Sequence, residues 1–105
     1  MDLELKGKVV IVSGGAGEKG SIGRTIVQSL TNEGAIPVII DKNDRGHEIV
    51  SELKSQGIDA LFIQTNLMAP EQIESAVMEV TEKYGKVDAV INNIGVNDGV
   101  GLNGT

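Results

Sequence analysis

The sequence predicts an α/β fold in which a doubly wound parallel sheet is covered by helices on both faces. Four short runs of Val, Ile and Leu lack the polar alternation of half-exposed strands, which is typical of strands buried on both sides. Segments with the apolar spacing of helices separate these runs. The length of 105 residues fits one domain with one hydrophobic core.

The first predicted strand and helix lie on either side of a glycine-rich turn. The apolar run Val9–Val12 predicts the strand. A helix is predicted after the turn because Ile22, Ile26 and Leu30 recur every four residues, and Gly34 supplies a left-handed end.

The next predicted helix lies between two further strands. The run Ile36–Ile40 predicts the second strand, which ends at Asp41. Asp44 is expected to cap the following helix, and Gly57 to end it. The run Ala60–Ile63 predicts the third strand.

A third helix and a fourth strand complete the pattern. Pro70 suits the first helical position, and Gly85 follows the last one. The run Val87–Ile91 predicts the fourth strand. Right-handed crossovers then give the strand order 3-2-1-4. In this order the sheet is truncated after the fourth strand, and the apolar edge of that strand stays uncovered.

Composition excludes several classes of site and partner. The absence of Cys excludes disulfides, thiolate zinc sites and a cysteine nucleophile, and a single histidine, His47, argues against a histidine-rich metal site. The net charge of −6 argues against nucleic acid and anionic membranes as partners. No apolar run approaches the ~20 residues of a membrane span, and the first residues lack the order of a signal peptide. We therefore expect a cytoplasmic protein.

The turn between the first strand and the first helix matches a nucleotide-binding pattern. Within it, Gly15-x-Gly17-x-x-Gly20 satisfies the dinucleotide fingerprint, in which glycines let a pyrophosphate approach backbone N–H groups at a helix start. We therefore predict that residues 1–105 form a single, incomplete, Rossmann-like dinucleotide-binding domain. Similar turns also occur in doubly wound domains without nucleotide. The five glycines of the turn are Gly14, Gly15, Gly17, Gly20 and Gly23.

Asp41 stands where a carboxylate is expected to bind the ribose of a dinucleotide. It follows Gly23 by 18 residues, close to the ~20-residue offset at which a carboxylate takes the ribose hydroxyls. A carboxylate there repels a 2′-phosphate, so NAD is predicted in preference to NADP. Lys19 and Lys42 could reach a 2′-phosphate and keep NADP open, and Asp41 could instead cap the next helix. Asn66-Leu67, after the third strand, would lie at the adenine edge, or form a plain loop.

Together these residues resemble the short-chain dehydrogenase/reductase family. The family pattern has Thr-Gly-x-x-x-Gly-x-Gly after the first strand, an acid-Leu pair after the third and Asn-Asn-Ala-Gly after the fourth. Here Ser13-Gly14 with Gly20 and Gly23, Asn66-Leu67, and Asn92-Asn93-Ile94-Gly95 take those places. The resemblance implies a pyrophosphate site at Gly14, Gly20, Ser21, Ile22 and Gly23, with Asp41 on ribose, Asn66 and Leu67 on adenine, and Asn93, Ile94 and Gly95 as the floor.

Three features depart from the family pattern. The loop from Ser13 to Gly23 is three residues longer, which is similar to divergent enoyl-acyl-carrier reductases. Asn66 replaces the usual Asp, and Ile94 replaces Ala.

A finer resemblance is to the L-fucose dehydrogenase branch, which oxidises the anomeric carbon of a sugar. It depends on Met1-Asp2-Leu3, Glu33–Val38 and Asn92–Leu102. The resemblance implies that Asn97 and Asp98 contact sugar hydroxyls, although an Asn-Asp-Gly turn chosen for its backbone explains them equally well.

The residues that carry out the family's chemistry are not found in this sequence. The family uses a Ser and a Tyr-x-x-x-Lys pair, whereas the only tyrosine here is followed by an acid in Tyr84-x-x-x-Asp88. Helical spacing favours a packing role for Tyr84. The chain is thus predicted to be the cofactor-binding front of a dehydrogenase that acts on a small-molecule substrate and is a homo-oligomer when complete. The alternative is a non-catalytic module that binds nucleotide or pairs through its strand edge.

Overall fold

The computed structural model describes residues 4–18 and 20–93, and within them the predicted fold class is confirmed. The four strands form one parallel sheet in the order β3-β2-β1-β4. In chain order the elements are β1 (Val9–Ser13), α1 (Ile22–Asn32), β2 (Ile36–Asp41), α2 (Arg45–Ser55), β3 (Leu61–Gln64), α3 (Pro70–Tyr84) and β4 (Ala89–Asn92).

The central strand β1 sets the register of the sheet. All five of its residues are buried, as expected for a strand with neighbours on both edges and helices on both faces. Ser13 at its carboxyl end is level with Ile40 of β2 and Asn92 of β4. The loops that follow these three strands therefore leave the sheet side by side.

The hydrophobic core lies in two layers, one on each face of the sheet. Val10 and Val12 of β1 pack on the side of α1 and α2, with Val27 and Leu30 from α1. Alternate residues of the same strand face the other side, where Val80 of α3 covers them. This alternation explains why the strand sequence is apolar at every position.

The predicted apolar stripe of α1 is wrong at its first position. Ile22 is 47% exposed, and the buried positions are Gly23, Val27 and Leu30. The core-facing place in the first turn belongs to a glycine because the helix start approaches the end of β1 too closely for a side chain. Ile26 is only partly buried.

The predicted cap of α2 is also wrong. Asp44 occupies the capping position, but its side chain makes no capping hydrogen bond, since its own backbone is already helical. Instead the Asn43 side-chain oxygen accepts a hydrogen bond from the Arg45 N–H at 2.9 Å. The side chain that bonds to the first turn of α2 therefore comes from one residue earlier than the sequence predicts.

The third and fourth strands begin later than predicted. β3 is shifted by one residue to Leu61–Gln64, and Ala60 before it is fully buried. β4 begins at Ala89, and just before it the carboxylate of Asp88 accepts the Val9 N–H at 2.7 Å. In the described part of the chain β4 pairs only with β1, which confirms its place at the sheet edge, and Val90 is 59% exposed. None of the described helices has the length and hydropathy to cross a membrane.

Candidate functional site

The start of α1 packs directly against the turn that leaves β1. Gly14 adopts a φ of +75°, and its N–H donates to the Ile40 carbonyl at 2.9 Å. A Cβ on Gly23 would overlap the Gly14 carbonyl oxygen and lie 2.8 Å from Asn93 Nδ2. Only glycine at position 23 allows this approach, and Gly23 is the last glycine of the family pattern.

Asn93 joins the residues after β4 to the glycine loop. Its side chain is buried, and its Nδ2 donates to the Gly14 carbonyl at 3.1 Å. Its backbone N–H reaches the Ser13 hydroxyl at 3.2 Å, and that hydroxyl donates to Asn92 Oδ1 at 2.9 Å. Two motifs separated by about 80 residues in sequence thus form one hydrogen-bonded unit.

Asp41 connects the glycine loop to the end of β2. Its Oδ2 accepts the Ala16 N–H at 3.0 Å, and its Oδ1 accepts the Asn43 N–H at 3.1 Å. The carboxylate therefore lies beside the loop, in the arrangement that places a ribose between an acid and a phosphate site.

The far side of the loop returns to the helix at Ser21. A Cβ on Gly17 would lie only 2.5 Å from the Ser21 hydroxyl oxygen, so a larger residue at position 17 would force the Ser21 side chain to move. The same hydroxyl accepts the Arg24 N–H at 3.3 Å and caps α1. Gly20 has a φ of +88° and open space around it.

Two arginine contacts were not anticipated from the sequence. Arg24 Nη1 donates to the Gly17 carbonyl at 3.2 Å, and Arg45 Nη1 donates to the Ala16 carbonyl at 3.1 Å. Their proximity depends on the tertiary fold, since Arg45 lies 29 residues from its partner. The sequence signal is weak: Arg24 directly follows Gly23, and Arg45 follows Asp41 by four residues.

Asn66 and Leu67 follow a strand end that is bonded to Asp41, and no hydrogen bond joins them to the described residues of the glycine loop. The Thr65 N–H donates to the Asp41 carbonyl at 2.8 Å and brings the two strand ends together. The Asn66 side-chain oxygen accepts the Met68 N–H at 2.9 Å, and its own N–H donates to Gln72 Oε1 at 2.8 Å. Leu67 packs partly against the α3 side of the core.

Some of the predicted positions lie outside the described residues. They are Lys19, the floor residues Ile94 and Gly95, and the sugar contacts Asn97 and Asp98.

Tyr84 lies at the opposite end of the sheet, near the start of β3. Its hydroxyl donates to Asp59 Oδ1 at 3.2 Å. Burial, together with the charge and hydrogen bond of Asp59, raises the pKa of Tyr84 to about 12. The tyrosine packs against the core at the end of α3, which confirms the predicted packing role. His47 is exposed, with its ring edge-on to Phe62.

The geometry suits an extended anionic ligand. Gly23, where a Cβ would clash with the Gly14 carbonyl, brings backbone to backbone, and the start of α1 offers the positive end of a helix dipole. The two guanidinium groups add positive charge beside the loop. A carboxylate next to them offers an acceptor for hydroxyl groups. These are the features by which a loop holds a pyrophosphate and an adjacent ribose.

Comparisons by family model, by sequence and by structure all relate the chain to the same family. The sequence model of the short chain dehydrogenase family matches residues 8–103. The chain is 33% identical over 88 residues to 1,6-dihydroxycyclohexa-2,4-diene-1-carboxylate dehydrogenase of Acinetobacter baylyi, covering 84% of this chain and 33% of that protein. It is 29% identical to 3-oxoacyl-acyl-carrier-protein reductase of Staphylococcus epidermidis, covering 76% of this chain and 34% of the reductase. The chain thus spans about a third of the length of the curated relatives it matches.

Solved structures of dehydrogenases and reductases also superpose on the chain. L-sorbose reductase of Gluconobacter frateurii, complexed with NADPH and L-sorbose, superposes with a TM-score of 0.81 at 31% identity, over 90% of this chain and 36% of that one. A short chain dehydrogenase of Mycobacterium smegmatis superposes with a TM-score of 0.77 at 32% identity, over 85% of this chain and 36% of that one. With the family pattern matched over most of its length, the chain belongs to the short-chain dehydrogenase family.

Proposed function

We propose that the chain is the cofactor-binding part of an NAD-dependent dehydrogenase. The observation that carries the proposal is the bond between Asp41 and the Ala16 N–H, which fixes an acceptor for ribose hydroxyls beside the glycine loop. Gly14, Gly15, Gly17, Gly20, Ser21, Ile22 and Gly23 would hold the pyrophosphate. Asn66 and Leu67 would meet the adenine, and Asn93, Ile94 and Gly95 would form the floor.

We propose NAD in preference to NADP. The Asp41 carboxylate would repel a 2′-phosphate, and both of its oxygens are held in place by backbone N–H groups. When bound, the nicotinamide would supply or accept the hydride. This chain's own residues would bind and orient it.

For the whole protein we propose hydride transfer between the nicotinamide and a sugar or secondary alcohol, with an L-fucose-type sugar favoured. The similarity to L-sorbose reductase supports a sugar-like substrate. The residues from Asn92 to Leu102 support the L-fucose branch, with Asn97 and Asp98 proposed as hydroxyl contacts.

We propose that the described segment contributes cofactor binding and no catalytic group. Tyr84 cannot act as the family's acid or base because Asp59 holds its hydroxyl and its pKa is raised to about 12. The catalytic Ser, Tyr and Lys would then come from a longer polypeptide, which we expect to be a cytoplasmic homo-oligomer.

Thermal unfolding with and without NAD tests cofactor binding. At a hundred times the dissociation constant NAD adds ~2.7 kcal/mol of stability, which raises the midpoint by roughly 10–20 °C for a domain of this size. NADP at the same concentration should give a smaller shift. A cooperative transition that neither cofactor moves would refute the proposal.

The substrate is tested on the longest natural polypeptide that contains this sequence. Its intact mass is measured after capture from source cells with an antibody against this segment. NAD⁺ reduction is then followed by the absorbance of NADH, with L-fucose as the substrate that is oxidised. L-sorbose is a ketose whose carbonyl accepts a hydride, so its control reaction follows the oxidation of NADH instead. Activity on alcohols without activity on either sugar would refute the sugar assignment and leave the cofactor assignment in place.

A further inference from the structure

The chain contains two arginines, and both donate to neighbouring carbonyls of the glycine loop. Arg24 reaches the Gly17 oxygen from α1 at 3.2 Å, and Arg45 reaches the Ala16 oxygen from α2 at 3.1 Å. One side chain from each of two helices therefore donates a hydrogen bond to one of two consecutive carbonyls. These groups belong to the stretch from Ser13 to Gly23, which is three residues longer than the family pattern.

The two contacts also fix the direction of the N–H groups in the loop. In a trans peptide the carbonyl and the N–H of one unit point in opposite directions, and no described peptide bond is cis. With the Ala16 and Gly17 carbonyls turned to the arginines, the N–H groups of Gly17 and Glu18 point away from them. Neither N–H has a hydrogen-bond partner among the described residues. Both are available to an acceptor on the open side of the loop.

The positive charge of the two arginines is not neutralised by a direct ion pair. Neither guanidinium forms an ion pair with a carboxylate in ranges 4–18 and 20–93, where the pair of Lys86 and Asp88 is found far from the loop. Both side chains are partly buried, which reduces screening by solvent. The two guanidinium groups therefore offset the carboxylates of Asp41 and Glu18 at this loop, in a chain whose net charge is −6.

We propose that Arg24 and Arg45 are positioning residues for the cofactor pyrophosphate. They hold the lengthened loop with its N–H groups toward the phosphates and supply two charges beside it. The inference rests on the proposed function, because it needs a dinucleotide in this site.

The test compares ADP-ribose, which carries the pyrophosphate, with adenosine, which does not. Dissociation constants are measured by titration calorimetry for the unchanged chain and for Arg24→Gln and Arg45→Gln. Each variant should bind ADP-ribose about tenfold more weakly, a change of about 1.4 kcal/mol, and adenosine equally well. The salt dependence of ADP-ribose binding should also become shallower. The matched control Lys54→Gln removes the same charge from the end of α2 and should leave the dissociation constants of both ligands unchanged.

The outcomes distinguish a failure of the proposed function from a failure of the arginine inference. If the unchanged chain binds neither ADP-ribose nor NAD, the proposed function is wrong, and this inference with it. If the chain binds ADP-ribose and the arginine variants bind it equally well, only the inference is overturned. An equal loss for ADP-ribose and adenosine also overturns it, because that indicates general loosening. If a glutamine variant does not fold, Arg24→Lys and Arg45→Lys keep the charge, and a loss confined to ADP-ribose in these variants supports the positioning role.

Discussion

The two ends of the sheet use polar side chains in different ways. At the carboxyl end, Asp41, Asn93 and the two arginines bond to loop backbone and leave the Gly17 and Glu18 N–H groups open. At the amino end, polar groups satisfy one another. The Val9 N–H and the Lys86 ammonium lower the pKa of Asp88, and Tyr84 is bonded to Asp59. This difference supports our proposal that the carboxyl end receives a ligand and the amino end closes the fold.

The largest expected effect comes from adding one methyl group at the carboxyl end. Gly23→Ala places a Cβ against the Gly14 carbonyl and 2.8 Å from Asn93 Nδ2. We expect a loss of about 1–3 kcal/mol in the free energy of unfolding and at least about tenfold weaker NAD binding. Urea unfolding and titration calorimetry measure the two quantities.

Gly57→Ala is the matched control for this substitution. It lies after α2 with a φ of +81° and nothing within 4 Å of an added Cβ. Backbone strain should reduce stability by about 1 kcal/mol, and NAD binding should not change. Equal NAD binding by both variants would contradict the close-packing account of the loop.

The next effect concerns cofactor choice. Asp41→Ala removes the carboxylate beside the loop, and we expect NAD to bind about tenfold more weakly, because hydrogen bonds to charged groups contribute about 1.5–3 kcal/mol. NADP should lose less or gain, since the repulsion of its 2′-phosphate disappears. Asp44→Ala is the control, because that side chain makes no capping bond. An unchanged ratio of NAD to NADP affinity in Asp41→Ala would count against the ribose assignment.

A smaller effect is expected at the link between β1 and β4. Ser13→Ala deletes the hydroxyl that donates to Asn92 Oδ1 at 2.9 Å and accepts the Asn93 N–H. The Asn93 N–H keeps the Ser13 carbonyl as an acceptor, so we expect a loss of about 1 kcal/mol in unfolding free energy. Ser55→Ala removes an exposed hydroxyl and should change stability by less than about 0.5 kcal/mol. Equal stability of the two variants would show that the Ser13 link contributes nothing.

The smallest effect on stability at neutral pH is expected at the amino end of the sheet. The Tyr84 pKa of about 12 lies above its ordinary value of 10.0, so the folded state favours the protonated phenol. Its contribution to stability is complete below pH 10 and is lost as the pH rises toward 12. Because this is the only tyrosine, phenolate absorbance reports its titration directly. Asp59→Asn should lower the pKa without affecting NAD binding, and a folded phenol that titrates near 10 would contradict the account.

Most of the fold could be predicted because buried parallel strands leave a clear apolar pattern. The runs around Val9, Ile36, Leu61 and Val87, taken with right-handed crossovers, were enough to predict the strand order. The resemblance predicted Gly14 and Gly23 as site positions, and the spacing after the glycine turn predicted Asp41. The structure places Gly23 against Gly14 and Asp41 beside the loop, while their roles in binding stay predictions.

What could not be predicted depends on contacts between distant residues or on local backbone angles. The Arg45 contact with Ala16 needs α2 to lie beside the loop, and spacing along the chain does not reveal it. The capping role of Asn43 rather than Asp44 depends on where the backbone turns helical. The exposure of Ile22 follows from the tight approach of Gly23 to Gly14.

The most direct test of the difference between the two ends is amide NMR of the ¹⁵N-labelled chain titrated with NAD. The account predicts that the largest shift changes fall in residues 14–23, at Asp41 and at Asn93, with no change around Asp59 or in residues 84–88. Shift changes centred on the amino end of the sheet, or no changes in a folded chain, would contradict it.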